Sequence, residues 1–83
     1  MYVELLRDAA KYLNRMNQPD KGRIKRALEK LELEPPQGDI TPLEGKDGYR
    51  LRVGGYRVLY DVTGNMIVVY NIAPRGQVYK GGF

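Results

Sequence analysis

The sequence predicts a single α+β domain, with an N-terminal two-helix hairpin packed on one face of a small antiparallel sheet of three to four strands. Two observations predict this fold. Apolar residues recur at helical spacing in the first half of the chain, whereas apolar and polar residues alternate from Tyr49 onward, as they do in strands. At 83 residues the chain is close to the size at which one core suffices, so we expect one domain over residues 1–83.

The chain is expected to begin with a short strand and a helix. The segment YVELL at 2–6 has the composition of a strand. Asp8 can cap the helix that follows, because its side-chain oxygen can accept a hydrogen bond from the first turn. Ala9, Leu13 and Met16 then recur at i, i+4 and i+7 and form one apolar stripe.

A second helix is marked at both ends by proline. Pro19 is suited to the first turn, and Pro35-Pro36 is expected to end the helix. The shared apolar face consists of Ile24, Ala27, Leu28 and Leu31. The outer face is basic but carries acidic residues as well, so a solvated surface is the preferred interpretation. The two helices are predicted to form a hairpin.

The second half is predicted to contain a long loop and three strands. Residues 35–48 are rich in proline, glycine and aspartate, as in an ordered loop. The strands are expected at 49–53, 56–62 and 66–72. Gly54-Gly55 separates the first two strands and suits a two-residue hairpin turn, because both glycines tolerate positive φ.

The hairpin concentrates positive charge on one face of the sheet. If the turn has two residues, Arg52 lies opposite Arg57, and side chains alternate between the two faces. One side is then apolar and faces the helices: Tyr49, Leu51, Val53, Tyr56, Val58, Tyr60 and Val62. The other side carries Arg50, Arg52, Arg57, Leu59 and Asp61.

Opposed like charges destabilise a sheet unless a negative group lies between them. One interpretation is that the arginine stems of the hairpin splay into water, where solvent screens their charges. The other is an anion site, for which phosphate best matches the planar guanidinium fork. The C-terminal tail favours the second interpretation, because Arg75 and Tyr79 follow the last strand and can reach the same face. Tyr79 can stack on a base or donate a proton, or it can be a core or edge aromatic.

Composition limits the chemistry that these residues can perform. The chain has no cysteine and no histidine, so we expect no thiolate or imidazole metal site and no cofactor. The net charge of +4 arises entirely in residues 49–83, where five basic residues face Asp61 alone. This asymmetry favours a polyanionic partner such as nucleic acid. Apolar runs such as residues 66–70 are too short to span a bilayer, so we expect a cytoplasmic protein with no membrane partner.

The sequence resembles the RelE/ParE superfamily of type II toxin–antitoxin toxins over nearly its whole length. The most specific part is the hairpin YRLRVGGYRVLY at 49–60, followed by the ending RGQVYK at 75–80, which is similar to the RelE branch. The resemblance implies a ribosome-dependent endoribonuclease that cleaves mRNA in the ribosomal A site and inhibits translation. It also implies a cognate antitoxin as partner in a hetero-oligomer, and attack by the ribose 2′-hydroxyl on the adjacent phosphate.

The resemblance also implies roles for individual residues. Arg57 and Arg75 are expected to hold the phosphate, and Tyr79 to stack on a base or assist proton transfer. The RNA-binding residues are expected to be Arg50, Arg52 and Lys80.

Two departures from the family pattern leave the general base unassigned. Arg50 and Arg52 stand where some members have lysine, and arginine is always protonated. Pro74 stands where many relatives have histidine. Glu44 and Asp61 are the carboxylates considered for the role of base.

Two alternatives to an RNA-cleaving toxin follow from the same resemblance. One is a ParE-like inhibitor of DNA gyrase, which shares the fold but acts through protein contacts. The other is a degenerate member that binds only antitoxin or RNA. The convergence of basic residues on one face favours the RNA-cleaving toxin.

Overall fold

The computed structural model describes residues 1–76, which form two helices and a five-stranded sheet. In chain order the elements are β1 (Tyr2–Leu5), α1 (Arg7–Arg15), α2 (Asp20–Leu31), β2 (Asp39–Pro42), β3 (Tyr49–Val53), β4 (Tyr56–Thr63) and β5 (Met66–Pro74). The strands lie in the order β1-β5-β4-β3-β2. The α+β class with both helices on one face of the sheet is confirmed.

The sheet is larger than expected and is mixed. Its fifth strand is β2, which lies inside the predicted loop 35–48 and pairs antiparallel with β3. A proline within DITP indicated a loop, but Pro42 is tolerated because β2 is an edge strand and needs donors on one side only. The expectation of a wholly antiparallel sheet was wrong as well, because β1 pairs with β5 in parallel. The other neighbouring strands are antiparallel.

The helix termini differ from the sequence prediction. Asp8 does not cap α1: the helix begins at Arg7 with Leu6 at the N-cap position, and Asp8 lies in the first turn. There its negative charge still favours the helix N-terminus. Helix α2 begins at Asp20, directly after Pro19, and ends at Leu31, several residues before the proline pair.

The hydrophobic core lies between the two helices and one face of the sheet. The helices contribute Ala9, Leu13, Ile24, Leu28 and Leu31, and the strands contribute Leu51, Val58, Tyr60, Ile67, Val69 and Ile72. The opposite face of the sheet, which we call the open face, has no helix among residues 1–76. The helical layer thus stabilises the sheet and leaves its other face for function.

A β-bulge in β5 sets which side chains reach the open face. Leu59 pairs with Asn71, whereas the next residue of β4 pairs with Val69, so Tyr70 is an extra residue. With regular pairing Asn71 would point toward the helices, because side chains alternate. The bulge resets this alternation and places Asn71 on the open face and Ile72 in the core.

Outward backbone amides on the two edge strands, β2 and β1, are at least partly occupied. On β2, Ile40 donates its N–H to the Gly38 carbonyl at 3.0 Å, and Pro42 has no N–H. On β1, the N–H of Val3 points outward and donates to a carboxylate oxygen of Glu32 at 3.1 Å.

Candidate nucleic-acid interface

The β3–β4 hairpin has the register that the sequence predicts. Arg52 lies opposite Arg57 and Val53 opposite Tyr56, so Gly54-Gly55 forms the two-residue turn. Gly54 has φ +56°, which glycine adopts without the steric cost that a side chain would add. The predicted division of the hairpin into an apolar and a basic face is therefore confirmed.

Two rows of residues cross the open face from β2 to β5. The row nearer the glycine turn, called the turn-side row, consists of Asp39, Arg52, Arg57 and Ala73. The next, called the middle row, consists of Thr41, Arg50, Leu59 and Asn71. The rows are two residues apart along each strand, which corresponds to about 7 Å.

Arg57 is the buried charge of the open face. The residue is only 6% exposed, and its Nε–H donates to Oδ1 of Asn71 at 3.4 Å. Burial of a cation is costly unless polar groups surround it, and Asn71 supplies one such group. The bulge supplies part of this environment, because it places Asn71 on the same face.

Arg75 is fixed by the glycine turn. Its backbone N–H donates to the Gly55 carbonyl at 2.8 Å, and its Nη1 donates to the Gly54 carbonyl at 3.1 Å. These bonds continue the β4–β5 ladder by one residue, so Arg75 lies diagonally adjacent to Arg57. Such diagonal neighbours are about 7–8 Å apart. The backbones of the two arginines expected to hold a phosphate are therefore neighbours on the open face.

Asp39 introduces a carboxylate at the margin of this cluster. It lies directly across β2 and β3 from Arg52, on the same face, and is exposed. Its place on the open face was not predicted, because residue 39 fell in the predicted loop. Within residues 1–76, Arg50, Arg52 and Arg75 form no ion pair. The open face therefore carries an excess of positive charge despite Asp39.

The two carboxylates considered for the general base lie elsewhere. Asp61 is on the open face, but it is four residues from Arg57 along β4, which corresponds to about 14 Å. It lies beside Gly48, where an added Cβ would come within 2.8 Å of Asp61 Oδ1. Glu44 is exposed in the loop between β2 and β3. Neither carboxylate is placed next to the turn-side row.

Two tyrosines with raised pKa values lie on the helical side of the sheet. Burial raises the pKa of Tyr60, and the neighbouring Tyr49 adds to the effect; their rings stack at 5.4 Å. Burial also raises the pKa of Tyr56, and the negative charge of Asp20 raises it further. Both hydroxyls keep their protons at neutral pH, and both rings face away from the arginines.

Two of the predicted site residues fall outside the described residues 1–76. Tyr79 and Lys80 lie beyond residue 76, so their proposed roles remain predictions. Across residues 1–76, no group of three or more carboxylates is arranged to hold a metal ion. Neither described helix is long and apolar enough to cross a membrane.

Comparison with known proteins identifies the family. Residues 3–79 match the family model described as the ParE toxin of the type II toxin–antitoxin system parDE. No curated protein sequence matches the chain significantly.

Solved structures share the fold over almost the whole chain. The RelE–RelB complex of the archaeon Pyrococcus horikoshii has 30% sequence identity and a TM-score of 0.77, covering 93% of this chain and 97% of that one. The RelB–RelE antitoxin–toxin complex of Methanococcus jannaschii has 24% identity and a TM-score of 0.77, covering 95% and 98%. The isolated RelE toxin of E. coli has 19% identity and the same TM-score, covering 96% and 89%. The chain therefore belongs to the ParE toxin family of type II toxin–antitoxin systems, within the RelE/ParE superfamily.

Proposed function

We propose that this toxin is a ribosome-dependent endoribonuclease that cleaves mRNA in the ribosomal A site. The observation that carries the proposal is the pairing of buried Arg57 with turn-anchored Arg75 on a face with excess positive charge. A phosphodiester that becomes pentavalent gains negative charge, and fixed guanidinium groups stabilise such charge strongly.

The proposed reaction is an internal transfer at phosphorus. The ribose 2′-oxygen bonds to the adjacent phosphorus, the bond from phosphorus to the 5′-oxygen breaks, and a cyclic phosphate remains. A base takes the 2′-hydroxyl proton, and an acid supplies a proton to the departing 5′-oxygen. Arg57 and Arg75 hold the phosphate, while Arg50 and Arg52 position the RNA strand. In this proposal Tyr79 stacks on a base or transfers a proton. Lys80 makes a further contact with the RNA.

A cognate antitoxin is the proposed protein partner, and the cytoplasm the proposed location. Support for the partner comes from relatives whose structures are complexes with RelB antitoxins. A segment of the antitoxin that covers the open face would mask its positive charge. We therefore expect the complex to bind RNA more weakly than the free toxin does. Equal RNA affinity of the two would contradict masking.

A second candidate function is inhibition of DNA gyrase through protein contacts. The match to the ParE family model favours it, because that model describes the parDE toxin. The fold is common to both functions and does not discriminate between them. A gyrase inhibitor has no need for two fixed arginines around a phosphate, so the arginine cluster favours RNA cleavage.

The deciding experiment is primer extension on an mRNA in a purified translation system, with and without ribosomes. Cuts at A-site codons that require ribosomes would support the proposal. Arg57→Ala and Arg75→Ala should each reduce the cleavage rate by about 10- to 1000-fold without loss of folding. Arg15→Ala, an exposed arginine at the end of α1, is the matched control and should leave the rate unchanged. Intact mRNA with folded wild-type toxin would favour the gyrase candidate.

A further inference from the structure

The two helices leave one corner of the sheet uncovered on the face that they pack against, which we call the helical face. At this corner, at the end of the sheet away from the glycine turn, lies an apolar groove of about 460 Å³. Its lining is mainly apolar or aromatic: Met1, Pro36, Ile40, Tyr49, Tyr60 and Val62. Tyr49 is 38% exposed and Val62 42% exposed, although both lie on the same face as the buried core. Large apolar side chains gathered on a surface mark a contact with another molecule.

The floor of the apolar groove is preformed. The ring of Tyr49 stacks on the ring of Tyr60 with 5.4 Å between their centres, and Tyr60 itself is buried. The α-amino group of Met1 forms an ion pair with Glu34 at 3.3 Å, which holds the N-terminus beside the groove. A partner that binds a preformed surface orders few side chains, so these contacts favour a stable complex.

The apolar groove is continuous with an acidic recess. At Tyr49 and Val62, which line both, the groove passes into a recess of about 440 Å³. The lining of this recess includes the carboxylates of Asp47 and Asp61. The combined surface is therefore an apolar floor with negative charge at one end, and it is long enough for a peptide segment.

The negative charge of the recess contrasts with the rest of the chain, whose net charge is +4. Within residues 1–76, no lysine or arginine lines the apolar groove or the acidic recess. Lys46 is next to Asp47 in sequence, but its Nζ lies 5.7 Å from the centre of the Tyr70 ring. The recess thus repels phosphate groups and attracts lysine and arginine side chains. This chemistry fits a protein segment and not a nucleic acid.

We propose that a segment of the cognate antitoxin docks in the apolar groove, with apolar side chains on the floor and lysine or arginine beside Asp47 and Asp61. The inference rests on the proposed antitoxin partner and not on RNA cleavage. Two relatives whose structures are complexes with RelB support a protein partner. The groove lies on the face opposite the arginines, so a segment bound there holds the toxin without covering the open face. The antitoxin then contacts two faces of opposite charge.

A substitution on the floor tests the apolar contact. Val62→Thr keeps a β-branched side chain of the same shape but places a hydroxyl on the floor. It should weaken binding of the full-length antitoxin by about 3- to 10-fold, because the hydroxyl loses its water when the floor is covered. Calorimetric titration measures the affinity. Leu33→Thr, at a similarly exposed apolar residue outside the groove, is the control and should leave the affinity unchanged.

Reversal of a charge tests the basic part of the segment. Asp47 is exposed, so Asp47→Lys should fold normally. It should weaken antitoxin binding by about 3- to 10-fold at low salt, and by less at high salt, where the charges are screened. Glu29→Lys, at an exposed acid of α2 that lines neither the groove nor the recess, is the matched control. RNA binding by the free toxin should not weaken in either variant, since each removes a negative charge.

The outcomes separate this inference from the other possible occupants. Unchanged antitoxin affinity in Val62→Thr and Asp47→Lys would overturn it, as would equal losses in the two controls. Slower ribosome-dependent cleavage by Val62→Thr, with unchanged antitoxin affinity, would overturn it in favour of a ribosomal protein. A dimeric free toxin that Val62→Thr converts to a monomer in sedimentation would overturn it in favour of a second copy. Weaker antitoxin binding by both groove variants supports the inference even if the wild-type toxin cleaves no mRNA, a result that rejects only the proposed cleavage.

Discussion

The two faces of the β3–β4 hairpin are built from neighbouring residues but obey different physical requirements. On the helical face, Leu51 and Val58 are buried among apolar side chains and stabilise the fold. On the open face, Arg52 and Arg57 are brought side by side, which destabilises a sheet by itself. The helical face thus stabilises the fold, whereas the open face keeps a like-charge pair that lowers stability. Substitutions on the helical face should therefore act mainly on stability, and substitutions on the open face mainly on the proposed activity.

The largest effect is expected on the helical face. Leu51→Ala removes a side chain that is 1% exposed, and it should lower the free energy of unfolding by about 2–5 kcal/mol. Chemical denaturation measures the change. Leu33→Ala is the control, because Leu33 is largely exposed and should cost far less. Similar losses for the two variants would contradict the assignment of the core.

On the open face, Asn71→Ala should slow cleavage with little effect on stability. Loss of the acceptor for Arg57 Nε–H leaves the guanidinium less well oriented, and we expect a 3- to 10-fold lower kcat, or about 0.5–1.5 kcal/mol. KM should change less than kcat, since the RNA strand keeps its other contacts. Asn71→Asp retains an acceptor oxygen and should restore part of the rate. A change confined to KM would show that Asn71 contacts the substrate instead of positioning Arg57.

A substitution at Asp39, on the same face, should strengthen RNA binding instead of impairing the activity. Asp39→Asn removes the negative charge opposite Arg52, so RNA affinity should rise a few-fold at low salt. Stability should change little, because Asp39 and Arg52 lie on opposite strands of the pair but form no ion pair within residues 1–76. Filter binding over a salt series measures the affinity. Loss of cleavage with undiminished RNA binding would instead identify Asp39 as the general base.

The smallest expected effect is on the pH dependence of stability, and it concerns Tyr60 on the helical face. Because burial raises the pKa of Tyr60 in the folded protein, folded Tyr60 keeps its proton at a pH where the unfolded chain loses it. The contribution to stability is therefore complete below the unfolded value of about 10 and is lost as pH rises through the higher folded value. Tyr60→Phe should reduce the fall in stability between pH 9 and pH 11 in alkaline unfolding experiments. An identical fall in the variant would contradict the shift.

Features fixed by local sequence could be predicted, whereas features fixed by pairing between distant strands could not. The hairpin register was predictable because Gly54-Gly55 permits a two-residue turn and fixes which side chains oppose each other. The face of Asn71 was not, because the bulge at Tyr70 depends on pairing with β4 and has no glycine to mark it. Strand β2 was missed for a similar reason: its pairing with β3 outweighs the local preference of a proline-containing segment. Asp39 was missed together with it.

The occupied edges of the sheet bear on the fate of the toxin when no partner covers it. Growth of a sheet from one molecule to the next requires free amides along an outer strand. Strand β2 offers none that point outward, because Ile40 bonds to Gly38 and Pro42 lacks a hydrogen, and one outward amide of β1 is taken by Glu32. Edge-to-edge pairing of two molecules through β2 is thus disfavoured, because that edge presents no free outward amide.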